Sequence, residues 1–309
     1  TERAVDFIIK NKNKPFFLYL PHSMPHVPLG VSSQFKGKSK QGMYGDVMME
    51  IDWSVGQIMR TLSDNDLANN TLVIFTSDNG PWLNYGNHAG SVGNLREGKG
   101  TMWEGGSRVP CIMRWPDKIP KGLVSNQLAA TIDILPTIAA VTGSQLPPKP
   151  IDGVNIESII YGNSETSPRN DYYYYYSGEL IAVRKDKMKL VFPHSYRSYE
   201  GYSPGNDGYP ATFNGVLGKY AVGKSGLELY NLESDPSEEK NIISENSEIV
   251  NKLKLLGDKA RSLFGDRLHG VKGNGVRPIG RMDRDRSVSE LKIEHIGIGR
   301  TININTVYS

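Results

Sequence analysis

The sequence predicts an α/β protein: a mostly parallel sheet flanked by helices, followed by a small antiparallel sheet with one helix. Three observations lead there. Continuous apolar runs at residues 16–20, 72–75 and 109–115 have the length of buried strands. Segments with apolar residues at helical spacing alternate with them. Beyond Pro147, Pro148 and Pro150 the pattern changes to tyrosine-rich and β-branched runs joined by short turns.

Each element has its own signal. Ala4, Val5, Ile8 and Ile9 share one helical face, closed by Lys14-Pro15, and residues 16–20 form the first strand. A loop rich in Pro and His occupies residues 21–28. From Asp46, a residue type that caps helices, Val47, Met48, Ile51, Val55, Ile58, Met59 and Leu62 recur at helical spacing. After a turn at Asn69-Asn70, residues 72–75 form the second strand and run into Ser77-Asp78-Asn79-Gly80. Residues 81–108 are glycine-rich and aperiodic, a loop long enough to expect function in it. Residues 109–115 give a third strand. Residues 133–142 give a helix with Asp133 as cap, Pro136 in its first turn and Gly143 just past its end. Strands come next at residues 172–176, 181–184 and 188–192, the last two joined by the hairpin turn Lys185-Asp186-Lys187. Residues 193–224 read as a long loop and 227–230 as a further strand. Ile249, Val250, Leu253, Leu256, Ala260 and Leu263 mark a late amphipathic helix. The expected organisation is a main α/β unit over residues 1–150, a small α+β unit over 151–265, and a basic, poorly structured tail over 266–309.

Composition narrows the function classes. The 309 residues are 38% hydrophobic and 22% charged, enough for a sizeable core. With 36 Lys plus Arg against 33 Asp plus Glu, the balance of +3 argues against a dedicated nucleic-acid partner. The excess lies in the tail, where residues 261–300 hold nine basic and five acidic side chains. A single cysteine, Cys111, excludes an internal disulfide framework and a Cys-rich zinc site, and reads as a small buried hydrophobe in its strand. No apolar run approaches the roughly 20 residues of a membrane span, so no membrane partner is expected. No signal peptide is visible. Residues 1–10 already read as a helix under way behind Thr1, so the chain is expected to begin inside a longer protein.

Three stretches carry chemistry. Asp78 beside Asn79 at the carboxyl end of a strand supplies two hard oxygen donors suited to Ca²⁺ or Mg²⁺; taken alone, the tetrapeptide reads first as a turn. Pro25-His26-Val27-Pro28 also comes just after a strand, and its prolines hold His26 as a fixed acid or base; His22 nearby is a weaker signal. Gly98-Lys99-Gly100-Thr101 completes a G-x-x-x-x-G-K spacing. Gly100 stands where a nucleotide loop needs Ser or Thr and no helix starts after it, so the nucleotide reading fails, yet a glycine-flanked Lys99 still approaches an anion closely.

Together and in this order, these stretches resemble the formylglycine-dependent sulfatases of the arylsulfatase A-like type. The resemblance runs through residues 15–28, 70–80, 95–110, 131–136, 151–153 and 229–236. It implies an alkaline-phosphatase-like fold and hydrolysis of sulfate esters, aryl or carbohydrate, at a Ca²⁺ site. Carried over, Asp78 and Asn79 are two metal ligands, Lys99 binds the sulfate, and His26 contacts the leaving oxygen. His88 and His22 are candidate substrate contacts, and Arg108 a structural ion-pair partner. Such enzymes are commonly exported.

One departure stands against the match. The family's nucleophile arises from Cys or Ser in a Cys/Ser-x-Pro-x-Arg motif, and the sequence contains none; Cys111, in Pro110-Cys111-Ile112, does not fit. Formylglycine, the remaining metal ligands and further sulfate contacts are therefore expected in a missing N-terminal half, and this chain alone is expected not to turn over. Two alternatives stay open: a phosphodiesterase or phosphonate hydrolase of the same superfamily, and a non-catalytic module whose tyrosine-rich stretches, 172–176 and 196–209, stack on sulfated sugar.

Overall fold

Helix α1 (Glu2–Asn11) buries Ala4 and Ile8 and packs on the long helix α2 (Gly42–Asp64), which buries Val47, Ile51 and Leu62. The computed structural model describes residues 1–199 and 215–278. Residues 279–309 of the expected tail, and Tyr202 and Tyr209 of the tyrosine-rich stretch, lie outside them. Asp46 does not cap α2, which starts a turn earlier. It is buried and accepts the backbone N–H groups of Gly37 and Ser39, both at 2.7 Å. Those hydrogen bonds hold its carboxyl below the usual range.

The mostly parallel sheet expected in residues 1–150 takes another form. Among the described residues the only strand pair there is antiparallel: β1 (Val73–Thr76) against β2 (Cys111–Arg114), with Val73 opposite Arg114 and Thr76 opposite Cys111. The cause lies in the connection. Only a 3-10 segment (Leu83–His88) and a single helical turn (Glu104–Ser107) separate these strands, too little for a crossover; the loop instead closes on itself through Gly80 N to Gly106 O at 2.9 Å, so the chain returns alongside β1. Residues 16–20 form no strand. No described strand pairs with them, and Phe17 and Tyr19 are exposed. Cys111 is likewise exposed, because a two-stranded ribbon buries little of either face.

A 3-10 turn (Thr131–Asp133) leads into α3 (Ile134–Thr142), which ends on Gly143 at φ 67°. Asp133 sits fully buried at the junction. It accepts the N–H groups of Ala130 and Val154 at 2.8 Å and pairs with Arg169 through two nitrogens at 2.6 and 2.7 Å. That fork joins the helix to the chain beyond the proline-rich stretch.

The second sheet has the order β3 (Asp171–Tyr176), β4 (Glu179–Lys185), β5 (Met188–Val191), β8 (Glu228–Asn231), all antiparallel. The β4–β5 hairpin turns at Asp186, as its sequence predicts. One face packs Leu180, Val183, Leu190 and Leu229 on Val250, Leu253 and Ala260 of α4 (Ser247–Phe264). The other face packs Tyr174, Ala182, Val191 and Tyr230 on Trp103, which comes from the glycine-rich loop of the first unit. This sheet is thus a wall behind that loop.

Residues 193–224, expected as a loop, hold a second hairpin of β6 (His194–Ser198) and β7 (Ala221–Ser225). The stretch after α4 is fastened further than a free tail would be. Asp266 is buried, accepts from Arg261, His269 and the N–H of Leu180, and bridges to Val271, while Arg277 reaches Asp152 at 3.3 Å.

Candidate active site

β1 delivers Ser77-Asp78-Asn79 at its carboxyl end. Asp78 is exposed, with Ser77 Oγ 3.4 Å from its Oδ1. Asn79 donates through Nδ2 to Gly80 O at 3.0 Å, and no described donor binds its Oδ1. Past Asn79, three backbone segments pack directly on one another. Gly80 N donates to Gly106 O, Lys99 N to Pro81 O and Gly105 N to Arg96 O, at 2.8–2.9 Å. Side chains are impossible at two contacts: a Cβ on Gly80 would stand 1.8 Å from Gly105 O, and one on Gly105 would stand 2.2 Å from Glu97 O. The Asp-Asn stretch and the lysine stretch, 20 residues apart, are therefore one rigid loop bundle.

Trp82 joins them to the histidine loop. Lys99 Nζ lies 5.3 Å from the centroid of the Trp82 ring, and the His26 ring meets the same indole edge-on at 6.1 Å. Nδ1 of His26 contacts Val27 O at 2.6 Å. A carbonyl only accepts, so Nδ1 carries the proton and Nε2 is the atom left for a substrate. The structure thus gathers Lys99 and His26 on one ring, and roots Asp78 and Asn79 in the same bundle. The other two candidate histidines have other neighbours. His88 lies buried at the end of the 3-10 turn Leu83–His88, where a Cβ on Gly215 would stand 2.9 Å from its Nδ1. His22 lines a separate hollow of about 270 Å³ beside Thr1, Glu50 and Ser54. Arg108 is exposed and forms no ion pair among the described residues.

The donor chemistry at Asp78 and Asn79 fits a hard divalent cation, since both offer oxygen. It fits as part of a shell: among the described residues no group of three or more His, Cys, Asp or Glu side chains could hold a metal ion.

Sequence reasoning missed what stands behind the bundle. Arg96 lies flat on Trp103, its Cζ 3.7 Å from the ring centroid, and donates to Tyr230 Oη, Tyr196 Oη and Glu238 O at 3.1–3.2 Å. Lys189, fully buried on β5, donates to Met102 O at 2.8 Å and pairs with Glu104 at 3.2 Å and Glu238 at 2.7 Å. Burial pushes the Glu104 carboxyl up, but the Lys189 charge outweighs it and holds the group below its usual range. At Glu238 burial wins, helped by the like charge of Glu104, and the carboxyl lies above its usual range. Trp82 did have a local signal, a bulky ring two residues past Asp-Asn-Gly; a lysine inside a strand gives none.

Residues 1–144 match the family described as Sulfatase, and residues 97–207 that described as N-sulphoglucosamine sulphohydrolase, C-terminal. The chain belongs to the sulfatase family. It is 41% identical over 188 residues to arylsulfatase A of Bos taurus, covering 59% of this chain and 37% of that protein. It is 32% identical over 275 residues to N-acetylgalactosamine-6-O-sulfatase of Bacteroides thetaiotaomicron, covering 85% of this chain and 50% of that one. Its fold is similar to that of the PsFucS1 sulfatase from Pseudoalteromonas sp., with a TM-score of 0.72 at 26% identity, over 84% of this chain and 50% of that chain. This sulfatase chain therefore has the α/β, alkaline-phosphatase-like fold expected of it, and spans half or less of the length of these relatives. Among its described residues no helix is long and apolar enough to cross a membrane.

Proposed function

We propose that this chain carries part of the active site of a calcium-dependent sulfatase acting on sulfate esters of carbohydrates. The observation that supports it is the meeting of Lys99 and His26 on Trp82, in the loop bundle that presents Asp78 and Asn79. Asp78 and Asn79 would hold the cation through oxygen. When bound, that ion supplies positive charge where the sulfuryl oxygens gain negative charge. Lys99, its backbone pinned to Pro81, holds its ammonium against those oxygens as a fixed point charge. His26 acts as the imidazolium: Nδ1–H stays on Val27 O, and a second proton on Nε2 points toward the bridging oxygen; as the S–O bond breaks, that second proton goes to the departing alcohol, leaving the neutral ring. The net reaction converts ester and water to alcohol and hydrogensulfate.

The sequence holds no Cys/Ser-x-Pro-x-Arg motif, so the formylglycine nucleophile would come from residues outside it, along with the remaining ligands. The name of the Bacteroides relative, aligned along most of this chain, favours a sulfated amino sugar as substrate. Such polymers lie outside the cytoplasm, and export of the enzyme belongs to the same proposal.

The test is turnover of 4-nitrophenyl sulfate and of 6-sulfated N-acetylgalactosamine. In the complete enzyme, Lys99→Ala and Asp78→Ala each lower kcat/KM by about 10²–10³, the usual loss for one charge-stabilising group. The 309-residue chain alone releases no 4-nitrophenol. Turnover by the chain alone, an unaffected Lys99→Ala enzyme, or faster cleavage of a phosphate diester than of any sulfate overturns the reading.

A further inference from the structure

We infer that the hollow between the Lys99 loop and β6 is a subsite for an anionic substituent on the sugar next to the sulfated one, with Arg197 as its anchor. The inference rests on the sulfatase reading proposed for this chain. The hollow measures about 240 Å³, and Thr101, Tyr176, Glu179, His194, Tyr196 and Arg197 contribute to its walls. That is below the roughly 300–1,000 Å³ of pockets for drug-sized ligands, and suits a single ring.

Its charge is what marks it. Arg197 is half-buried and stacks on Tyr220, its Cζ 5.0 Å from the ring centroid, and no carboxylate pairs with it among the described residues. The other half-buried or buried arginines have acceptors: Arg96 has three, Arg169 has Asp133, Arg261 has Asp258 and Asp266, and Arg184 donates to Asp186 O. The acid that shares the hollow, Glu179, is already bound to Arg267 at 2.7 Å. A guanidinium whose fork has no acceptor among the described residues, in a partly desolvated pocket, is a receptor for sulfate or carboxylate.

Its place marks it too. A Cβ on Gly100, the residue after Lys99, would stand 3.8 Å from Arg197 Nη1 and 3.7 Å from Tyr176 Oη. β6 is fastened along this loop: Ser198 Oγ and Tyr199 N donate to the Glu97 carboxylate at 2.7 and 2.6 Å, and Tyr199 Oη donates to Lys99 O. The spacing from Lys99 to the hollow is therefore built in. Tyr176 and Tyr196 bring aromatic rings for a sugar to lie on. His194 donates through Nδ1 to Phe192 O at 2.8 Å, and burial holds its pKa down, so Nε2 is a hydrogen-bond acceptor for a hydroxyl.

The experiment compares four substrates in the complete enzyme and in Arg197→Gln: 4-nitrophenyl sulfate, a monosulfated neutral disaccharide, a disulfated disaccharide, and a monosulfated disaccharide with a uronate neighbour. The wild type prefers one or both anionic disaccharides over the neutral one by at least 10-fold in kcat/KM. In Arg197→Gln that preference falls by about 10- to 100-fold, chiefly through KM, and Arg197→Lys restores part of it. Which disaccharide shows the loss tells sulfate from carboxylate. An unchanged preference in Arg197→Gln overturns the subsite, as does a wild type with none. A wild type that hydrolyses no sulfate refutes the underlying reading instead. In that event calorimetric titration of the same disaccharides still reads the subsite, as a 10-fold or larger loss of affinity in Arg197→Gln.

Discussion

Replacing Lys189 by Met removes the cation that bridges two buried carboxylates while keeping most of the side-chain volume. Its ammonium lies 3.2 Å from Glu104 and 2.7 Å from Glu238, donates to Met102 O, and sits 4.1 Å from the centroid of the Tyr174 ring. At an effective dielectric near 20, each contact is worth on the order of 5 kcal/mol, and desolvation offsets much of it. Breaking a buried pair from one side costs about 3–5 kcal/mol, and that is the expected loss near neutral pH. The pH dependence carries a sign. In the wild type the depressed Glu104 carboxyl contributes stability above its unfolded value, lost as pH falls through its folded value. The raised Glu238 carboxyl does the reverse: the folded state binds its proton first, so its contribution improves as pH falls below its folded value. In Lys189→Met both carboxyls rise, so the penalty shrinks on acidification from about pH 7.5 to about pH 5.5. Equilibrium urea unfolding at the two pH values measures it, with m compared to exclude a change in the unfolded state. Adding Glu104→Gln and Glu238→Gln to Lys189→Met recovers most of the loss. A cost below about 1 kcal/mol, or one that does not fall with pH, refutes the account of a charged cluster.

Gly80→Ala forces the bundle apart, because its methyl would overlap Gly105 O; about 1–3 kcal/mol of stability is lost, together with turnover in the complete enzyme. Thermal unfolding and 4-nitrophenyl sulfate kinetics read the two, and a normal Tm shows that the close backbone approach is not obligatory. Trp82→Ala leaves Lys99 and His26 without their common surface, lowering kcat/KM by about 10–100-fold. An unaffected rate with this variant means the indole positions neither group.

Features set by neighbouring residues are legible in the sequence. The β4–β5 hairpin shows in its alternating pattern around Lys185-Asp186-Lys187, and α3 shows in Asp133, Pro136 and Gly143. Asp78, Asn79, His26 and Lys99 stand out by motif, each in a loop that strong local residue types punctuate. Pairing between distant segments is not legible. The hairpin of β6 and β7 joins strands more than 20 residues apart with little alternation, and β6 is anchored on Glu97 and runs close to Gly100, both from the other unit. Residues 16–20 and Cys111 mislead because apolar runs show that a segment can be buried, not what lies over it. Lys189 is invisible for the converse reason: only the assembled seam supplies its two acids.

The four side chains assigned to the chemistry all precede residue 100. The loop that carries Lys99 is nonetheless backed by Lys189, Tyr230 and Glu238, which clamp Trp103, Glu104 and Arg96 from behind. A nonsense mutation anywhere between codons 100 and 238 would leave every one of those chemical groups encoded and still yield a dead enzyme.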